Sequence, residues 1–535
     1  MVSEEEKMYL GFDFSTQQLK AFVVDDNLRV LFEEFVEFDS ALPEFRTQKG
    51  IIQSKDKSIT SPTIMWVKAV DILLDKLQII GADLGKVVAI SGSAQQHGTV
   101  YWQKGSEAVM QSLDPSSFLH TQLASCFTVP NSPIWMDSST TEYCRKLESA
   151  VGGSEELAKI TGSVAYERFS GPQIAKIAHT KKIAYDNTER ISLVSSFGAS
   201  LFLGKYAPID FSDGSGMNLL DIRKKCWNSK CLEACAPNLC GKLGKLVPSD
   251  EVLGYINPYY VERFAFNPNC RVVSFTGDNP ASLIGMCLKS NEIAVSLGTS
   301  DTIFMWLEDA KLLTEGHILI NPLQPDNYMA MLCFKNGSLI REKIRNSMAD
   351  RSWEEFSKLL ERTPRGNFGN MGLFYDEIEI IPRISGEFRF DKMDNPVKKF
   401  SSAETEIRAL IEGQFVAKRA HAEELGFHID SVSKILATGG ASNNKAIVQV
   451  LADVFNTPVY TLKEANSASL GGAYLAKQGI RDREKHSDPV LYFQEITSKV
   501  SLPTLFCTPY NDSKEIYTPM VARYKKLIKT ISNDN

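Results

Sequence analysis

One pattern of segments occurs in both halves of the sequence and limits the folds that the chain can adopt. Residues 8–25 predict a strand, a hydroxyl-rich turn and a second strand, and an apolar strand at 87–90 later runs into a glycine-containing turn. Residues 293–304 repeat the hairpin pattern, and the strand at 434–437 again ends in a glycine-rich turn. Because the order is the same each time, the sequence predicts an internal duplication of an α/β unit.

The length of 535 residues exceeds what one hydrophobic core supports, so roughly two to four domains are expected. Apolar residues at helical spacing predict helices over about 61–80, 403–425 and 513–532. Between the two repeats, the Ser-, Asp- and Gly-rich residues 210–217 predict a loop.

Composition argues against several classes of protein. The formal net charge of −6 disfavours nucleic acid and acidic membranes as partners. Residues 1–7 are polar and acidic, unlike a signal peptide, and no apolar run approaches the ~18 residues that span a bilayer. Ten scattered cysteines are expected to be reduced, in the cytoplasm. The densest group, residues 226–240, lacks paired Cys-x-x-Cys spacing and so disfavours a zinc site.

An acidic residue stands where a strand gives way to a helix near the middle of the chain. The apolar run 271–274 leads into Gly277-Asp278-Asn279, and Pro280 then opens a helix of small residues. A carboxylate at the carboxyl end of a strand is a common place for chemistry in α/β proteins. The alternative is that Asp278 or Asn279 simply caps the helix.

The two hairpin turns are suited to binding phosphate. Small residues allow backbone N–H groups to approach an anion, and Ser and Thr hydroxyls add donors. Asp13, just before the first turn, could hold Mg²⁺ through waters. Ordinary polar β-turns are the alternative for both hairpins.

Three further positions carry candidate ligand groups. The turn at 439–442 would let a flat or anionic ligand lie against backbone, although packing explains such glycines equally well. Asn444 could reach that ligand or cap the following helix. His97 follows a strand among polar amides and is either a ligand residue or a structural one. Arg168 either belongs to an interior ion pair or donates hydrogen bonds to sugar hydroxyls.

The joint set of motifs resembles the FGGY family of carbohydrate kinases, within the superfamily that includes actin and heat-shock 70 proteins. The motifs are Asp13-Phe14-Ser15-Thr16, Gln95-Gln96-His97-Gly98, Gly277-Asp278-Asn279, Gly298-Thr299-Ser300 and Ala437-Thr438-Gly439-Gly440. No P-loop, protein-kinase catalytic loop or dinucleotide fingerprint competes with them. The resemblance implies two ribonuclease-H-like, actin-like ATPase domains with a central cleft. The implied boundaries are 8–280 for sugar and 281–480 for ATP, with a C-terminal extension over 481–535.

The resemblance also implies a reaction. Members of the family transfer the γ-phosphoryl group of ATP, with Mg²⁺, to a terminal hydroxyl of an open-chain sugar, and here D-xylulose is expected. Asp278 would be the general base. The implied sugar contacts are His97, Arg168, Asp278 and Asn279. The implied ATP contacts are Trp353, Gly440, Ala441 and Asn444, with Thr16 and Thr299 in the phosphate turns and Asp13 for Mg²⁺.

Other functions remain open on the sequence alone. A kinase of the same family could act on ribulose, glycerol or a heptulose. A nucleotide-driven switch of the heat-shock 70 type would not need the group formed by His97, Arg168 and Asn279, and a catalytically inactive sugar-binding homologue would not need Asp278. Both a monomer and a dimer are compatible with the sequence.

Overall fold

The computed structural model describes residues 6–55, 58–430, 433–462, 466–500 and 503–534. Of the polar N-terminal segment 1–7, residues 1–5 therefore lie outside the described part. Up to residue 290, the strands are β1 (Met8–Phe14), β2 (Gln18–Asp25), β3 (Val30–Glu37), β4 (Ile52–Gln53), β5 (Ile59–Pro62), β6 (Val87–Ala94), β7 (Thr99–Gln103), β8 (Asn131–Pro133), β9 (Thr188–Leu193), β10 (Ile209–Asp210), β11 (Leu220–Asp221), β12 (Cys226–Trp227), β13 (Leu246–Val247), β14 (Val252–Tyr255), β15 (Arg271–Val273) and β16 (Thr276–Gly277). The later strands are β17 (Glu292–Leu297), β18 (Asp301–Leu307), β19 (His317–Ile320), β20 (Tyr328–Phe334), β21 (Met371–Tyr375), β22 (Gly386–Phe390), β23 (Lys434–Thr438), β24 (Val459–Thr461) and β25 (Thr504–Cys507).

The helices lie between and after these strands. Before residue 290 they are α1 (Phe38–Ala41), α2 (Thr63–Ile79), α3 (Ser106–Gln111), α4 (Leu119–Gln122), α5 (Thr141–Val151), α6 (Ser154–Thr161), α7 (Ser170–Thr180), α8 (Lys182–Asp186), α9 (Val194–Leu203), α10 (Phe211–Gly214), α11 (Ser229–Cys235), α12 (Leu239–Leu243), α13 (Pro258–Phe264) and α14 (Asp278–Gly285). The later helices are α15 (Ser338–Met348), α16 (Trp353–Arg362), α17 (Ala403–Glu424), α18 (Lys445–Phe455), α19 (Ser467–Gly479), α20 (Pro489–Thr497) and α21 (Ser513–Asp534). Short 3₁₀ turns occur at Pro43–Phe45, Leu84–Lys86, Ser215–Met217, Asn367–Gly369 and Gly440–Asn443. Among the described helices, none is both long enough and apolar enough to cross a membrane.

Two seven-stranded sheets form the frame of the molecule. The first has the order β14-β15-β6-β1-β2-β3, with β16 also paired to β6, and the second has the order β19-β20-β18-β17-β23-β24-β25. In the first sheet, β1 is antiparallel to β2 and parallel to β6; in the second, β17 is antiparallel to β18 and parallel to β23. This repeated topology confirms the mixed α/β fold and the duplication that the sequence predicts.

A layer of two helices, α14 and α19, lies between the sheets. These helices pack on each other, and α19 also covers β1 and β6. Tyr9 and Ala89 of the first sheet share one buried cluster with Ala294 and Leu436 of the second. Successive strand residues point to opposite faces, so Leu10 and its alternate neighbours pack instead against α2 and α9 on the outside. The outer face of the second sheet packs on α17 and α18.

Glycine allows α19 to lie directly against the first sheet. A Cβ atom on Gly11 would stand 2.2 Å from the backbone nitrogen of Ala473 in α19. A Cβ atom on Gly471 would stand 1.9 Å from the carbonyl oxygen of Ala281 in α14. Real Cβ atoms do not approach backbone so closely, so larger residues at either position would force the layers apart.

The structure confirms the three predicted helices, which it places at α2, α17 and α21. The loop predicted over 210–217 is wrong. Asp210 ends β10, and its carboxylate accepts hydrogen bonds from the backbone N–H groups of Ser212 and Asp213. This N-cap turns the small residues that follow into the short helix α10 and a 3₁₀ turn, both largely buried.

Candidate active site

The carboxyl ends of β1 and β16 meet at one edge of the first sheet, and an aspartate stands at each end. Both strands run parallel to β6, where Asp13 lies opposite Ser93 and Gly277 lies opposite Ala94. Asp278 follows directly, so that it and Asp13 line one cavity of about 210 Å³. The structure therefore brings together the residue predicted to hold the metal and the residue predicted to act as base.

The pKa values of both carboxyls are raised above the ordinary value of an aspartate. Burial, with the neighbouring Asp13 carboxylate as a second cause, raises the pKa of Asp278 to about 7. Burial also raises the pKa of Asp13, although hydrogen bonds from Ser15 and Ser93 oppose that shift. Carboxylates that share a cavity repel each other unless a proton or a cation lies between them. The pair fits a hydrated Mg²⁺ ion, which prefers carboxylate oxygens and keeps several waters.

Asp278 is the first residue of α14 and does not cap it. The N-cap position belongs to Gly277, which has no side chain to cap the helix. Neither Asp278 nor Asn279 is therefore the N-cap residue. The Asp278 carboxylate instead accepts from the backbone N–H of Asn279 at 2.9 Å, and it remains on the cavity wall.

A series of hydrogen bonds connects Asp278 to buried polar groups behind it. The Asn279 amide donates to Oδ1 of Asp278 at 3.2 Å and to Oε1 of Gln96 at 2.8 Å. The Gln96 amide in turn donates to Asp213 at 3.2 Å. Burial, together with the nearby Asp210, raises the pKa of Asp213 well above its ordinary value. The orientation of Asn279 against Asp278 is thus fixed by protein groups.

His97 presents one ring nitrogen as an acceptor. Its Nδ1–H donates to the Gly216 carbonyl at 2.7 Å, because a carbonyl can only accept. The ring stacks on Phe169 with centroids 4.3 Å apart. Burial, and next the charge of Arg168, lower the pKa of His97 to about 3. The ring is therefore neutral, and Nε2 can accept a hydrogen bond from a ligand hydroxyl.

Arg168 lies beside His97 without an acidic partner. Its guanidinium stands over the rings of Tyr166 and Phe169, at 5.0 and 5.8 Å from their centroids. Its Nη2 lies 2.5 Å from Nε2 of His317, a residue of β19 in the second sheet. No carboxylate of the described residues lies within ion-pairing distance, so the interior ion-pair alternative for Arg168 is wrong.

A second cavity, of about 640 Å³, opens at the second sheet. It brings together five residues predicted to contact ATP: Thr299, Trp353, Gly440, Ala441 and Asn444. The turn between β17 and β18 forms one part of its wall, and the 3₁₀ turn after β23 forms another. Both turns stand at the carboxyl ends of β17 and β23, which pair in parallel. In the first sheet, Asp13 and Gly277 stand on strands that each pair in parallel with β6.

The glycine turn after β23 leaves room for a ligand. Gly439 has φ of +81°, and a Cβ atom there would stand 2.7 Å from the Leu297 carbonyl oxygen, so glycine is required. Around Gly440, no atom lies within 4 Å of where a Cβ would be. Asn444 caps α18 by accepting from the backbone N–H of Ile447 at 3.1 Å. The capping alternative for Asn444 therefore holds, although the residue also lines the cavity.

Thr16 differs from its predicted placement. Its hydroxyl accepts a hydrogen bond from Nε1 of Trp135 at 2.9 Å, and the residue is not among those lining either cavity. Ser15, one residue earlier, lines the cavity of the two aspartates instead. The hydroxyl-rich motif alone does not reveal which of its residues turns inward.

A buried group of charges supports the second turn. Both terminal nitrogens of Arg341 donate to Asp301 at 2.9 Å, and Nζ of Lys418 lies 2.9 Å from the same carboxylate. The three side chains are at most 2% exposed. Arg341 also lines the cavity that holds Thr299, so this group fixes the wall of the second cavity. Sequence reasoning missed it because its members come from three separate elements.

Comparison with known proteins places this geometry in one family. The FGGY family of carbohydrate kinases matches through its N-terminal domain at residues 128–285 and its C-terminal domain at residues 293–478. A xylulose kinase of Rattus norvegicus is 53% identical over 98% of this chain and 96% of its own length. Xylulose kinase 2 of Arabidopsis thaliana is 48% identical over 89% of this chain and 87% of its own length.

Solved structures agree on the fold. A xyloylose kinase from Brucella ovis superposes with a TM-score of 0.80 at 18% identity, over 99% of this chain and 100% of that chain. A glycerol kinase of Plasmodium falciparum with ADP superposes with a TM-score of 0.74 at 16% identity, over 98% of each chain. With matches in both domains and a relative of 53% identity, the chain belongs to the FGGY family of carbohydrate kinases.

Proposed function

We propose that the chain is a xylulose kinase, which transfers the γ-phosphoryl group of ATP to D-xylulose and releases D-xylulose 5-phosphate and ADP. The observation that carries this proposal is the cavity shared by Asp278 and Asp13, a raised-pKa carboxylate beside a second acid. The 53% identity with a rat xylulose kinase supports the choice of sugar. We infer a cytoplasmic enzyme whose product enters the pentose phosphate pathway.

Asp278 acts in this proposal as the general base. As the terminal hydroxyl oxygen attacks the γ-phosphorus, the hydroxyl proton moves to the Asp278 carboxylate and the bond from phosphorus to the β–γ bridging oxygen breaks. Most of the acceleration comes from positioning and from neutralising charge on the phosphoryl oxygens. Mg²⁺ near Asp13 would supply part of that neutralisation when bound.

The sugar lies against residues of the first half. Nε2 of His97 accepts from one hydroxyl, since the ring is neutral and Nδ1 is already used. Arg168 donates to a sugar oxygen, because its N–H groups find no carboxylate among the described residues. The Asn279 side chain, held by Gln96 and Asp278, supplies a further polar contact.

The nucleotide occupies the cavity of the second half. Trp353, Gly440, Ala441 and Asn444 line the part that would hold the adenosine, where the glycine turn leaves backbone open to a flat ring. Thr299 from the second hairpin contacts the phosphates. We propose residues 8–280 as the sugar-binding domain, 281–480 as the ATP-binding domain and 481–535 as an extension. Closure of the cleft between the two domains would exclude water.

A substrate panel tests the choice of sugar. The purified chain is given ATP, Mg²⁺ and, in separate reactions, D-xylulose, D-ribulose, glycerol or sedoheptulose, with ADP release as the readout. We expect the highest kcat/KM with D-xylulose. Equal or better turnover of another acceptor would replace xylulose by that sugar, and ADP release that is independent of any acceptor would favour a nucleotide switch.

The pH dependence tests the base. Since the pKa of Asp278 is raised to about 7, the carboxyl is protonated below neutrality and cannot accept the hydroxyl proton. We therefore expect kcat/KM for D-xylulose to rise with pH through a midpoint that lies above the ordinary pKa of an aspartate and no higher than about 7, because Mg²⁺ near Asp13 would cancel part of the repulsion. Initial rates at saturating ATP, between about pH 5 and about pH 9, give the profile. A midpoint near the ordinary pKa of an aspartate would contradict the assignment.

A further inference from the structure

His317 connects the second sheet to the sugar side of the site. It is the first residue of β19 and is 2% exposed. Its Nε2 lies 2.5 Å from Nη2 of Arg168, and its Nδ1 lies 3.1 Å from Oγ of Ser163. The edge of its ring also packs on Tyr166, with centroids 4.7 Å apart. The ring of Phe169 lies 5.0 Å away between centroids, so one imidazole contacts four residues of the first half of the chain.

The hydrogen-bond partners of His317 determine which of its ring nitrogens carries the proton. A guanidinium carries only donors, so Nε2 of His317 must hold a lone pair and accept from Arg168. The ring proton is then on Nδ1, where it is donated to the Ser163 hydroxyl. Burial, and next the charge of Arg168, lower the pKa of His317 well below its ordinary range, in agreement with a neutral ring.

The orientation of Arg168 depends on few other contacts. Two aromatic rings, Tyr166 and Phe169, limit the plane of its guanidinium, but ring faces do not determine rotation within that plane. Among the described residues, Nε2 of His317 is the side-chain acceptor for the N–H groups of Arg168. Without that acceptor, the long side chain could rotate among several rotamers.

Backbone contacts hold His317 in place. The N–H of Ile318 donates to the Gly162 carbonyl at 2.9 Å, and the N–H of Gly316 donates to the Tyr166 hydroxyl at 3.3 Å. These bonds lie on both sides of His317, so β19 is attached to the segment that carries Ser163 and Arg168. The acceptor is therefore provided by a rigid element of the second sheet.

We propose that His317 is a positioning residue that holds the Arg168 guanidinium in the orientation needed to bind the ketose. The proposal rests on the sugar-binding role given to Arg168 above. It assigns to a residue of the second half of the chain a part in recognising the sugar that the first half binds. Its loss should weaken sugar binding while leaving the nucleotide cavity intact.

Two substitutions of similar polarity separate this role from simple packing. The amide of Gln reaches about as far as Nε2 of histidine, whereas the amide of Asn reaches only as far as Nδ1. His317→Gln keeps an acceptor for Arg168, and His317→Asn keeps only the contact with Ser163. We expect His317→Asn to raise KM for D-xylulose roughly 10- to 100-fold, the scale of a lost hydrogen bond to a charged group. His317→Gln should stay within about 3-fold of the wild type, and KM for ATP should change little in either variant.

A double-mutant cycle completes the test. In an Arg168→Met background there is no guanidinium to orient, so adding His317→Asn should change KM for D-xylulose by less than about 2-fold. The proposal would be overturned if His317→Asn and His317→Gln raised KM for D-xylulose equally. It would also be overturned if the effects of His317→Asn and Arg168→Met on that KM multiplied in the double variant. A wild-type chain that does not phosphorylate D-xylulose would instead refute the proposed function. Thermal melting of each variant shows whether it is folded at the assay temperature. If neither His317 variant is folded, the cycle is repeated with Ser163→Ala, which removes the acceptor for Nδ1–H of His317. That variant should raise KM for D-xylulose and leave KM for ATP unchanged.

Discussion

Replacing Asp278 with alanine should lower kcat for D-xylulose by at least ~10²-fold, the scale of a lost general base. The carboxylate stands on the wall of the cavity that it shares with Asp13, and no other described side chain on that wall is a carboxylate. His97 and Arg168 remain in the variant, so sugar binding should be partly retained. Steady-state kinetics and calorimetric binding of D-xylulose check the two expectations separately.

Asp71 offers a matched control for Asp278. It is also a buried carboxyl, and burial raises its pKa to about 6. It accepts from the backbone of Leu119 and the hydroxyl of Tyr259, away from the residues that line either cavity. Asp71→Asn should therefore leave kcat within about 3-fold of the wild type, far less than a lost general base. Near-normal turnover by the Asp278 variant would refute the role of base.

The same carboxyl should make the folded protein less stable at high pH. The pKa of Asp278 is about 7 in the folded state against 3.8 ordinarily, so the folded state binds the proton more tightly. Its stabilising effect is present at low pH and is lost as pH rises toward 7. An Asp278→Asn variant, which has no charge, should thus melt at a higher temperature than the wild type at pH 8 but not at pH 4.

Replacing Asp301 with asparagine should destabilise the second half of the molecule by about 3–5 kcal/mol, the usual cost of leaving a buried ion without its partner. Arg341 and Lys418 would both face a neutral amide, and their side chains are at most 2% exposed, so water cannot replace the carboxylate. The charges of these two cations also lower the pKa of Asp301, against the effect of burial. A thermal melt should show a fall of several degrees in the midpoint.

An exposed ion pair provides the control for Asp301. Glu354 pairs with Lys358 one helical turn away, and the two side chains are 78% and 53% exposed. Glu354→Gln should change stability by less than about 1 kcal/mol, because solvent screens such pairs. If the Asp301 variant melts like the Glu354 variant, the buried group does not support the second turn. Since Arg341 lines the nucleotide cavity, KM for ATP should rise in the Asp301 variant alone.

Local features of the sequence predicted much of the fold. The hairpin pattern at 8–25 and the helix at 403–425 depend on neighbouring residues, whose periodicity is visible in the chain. Asp278 could be found because a strand end, a glycine and a helix start stand together in sequence. His317 could not, since its partner Arg168 is 149 residues away and only the packing of β19 brings them together.

The misplaced residues have equally physical reasons. The segment 210–217 has the composition of a loop, yet the Asp210 cap and burial between larger elements make it helical. Thr16 and Ser15 are chemically alike, and only the folded turn between β1 and β2 shows that Ser15 lines the cavity while Thr16 bonds Trp135. Tertiary context therefore determines the details that local propensity leaves open.

The position of α19 also has a consequence for synthesis on the ribosome. The strands of the first sheet are complete at residue 277, but the helix that covers their inner face begins at residue 467. At ~5–20 residues per second, the intervening chain takes roughly 10–40 s to translate. During that interval the part of β1 and β6 that α19 covers lacks that helix, although α14 has already been made, so nascent chains expose apolar surface around Tyr9 until α19 emerges.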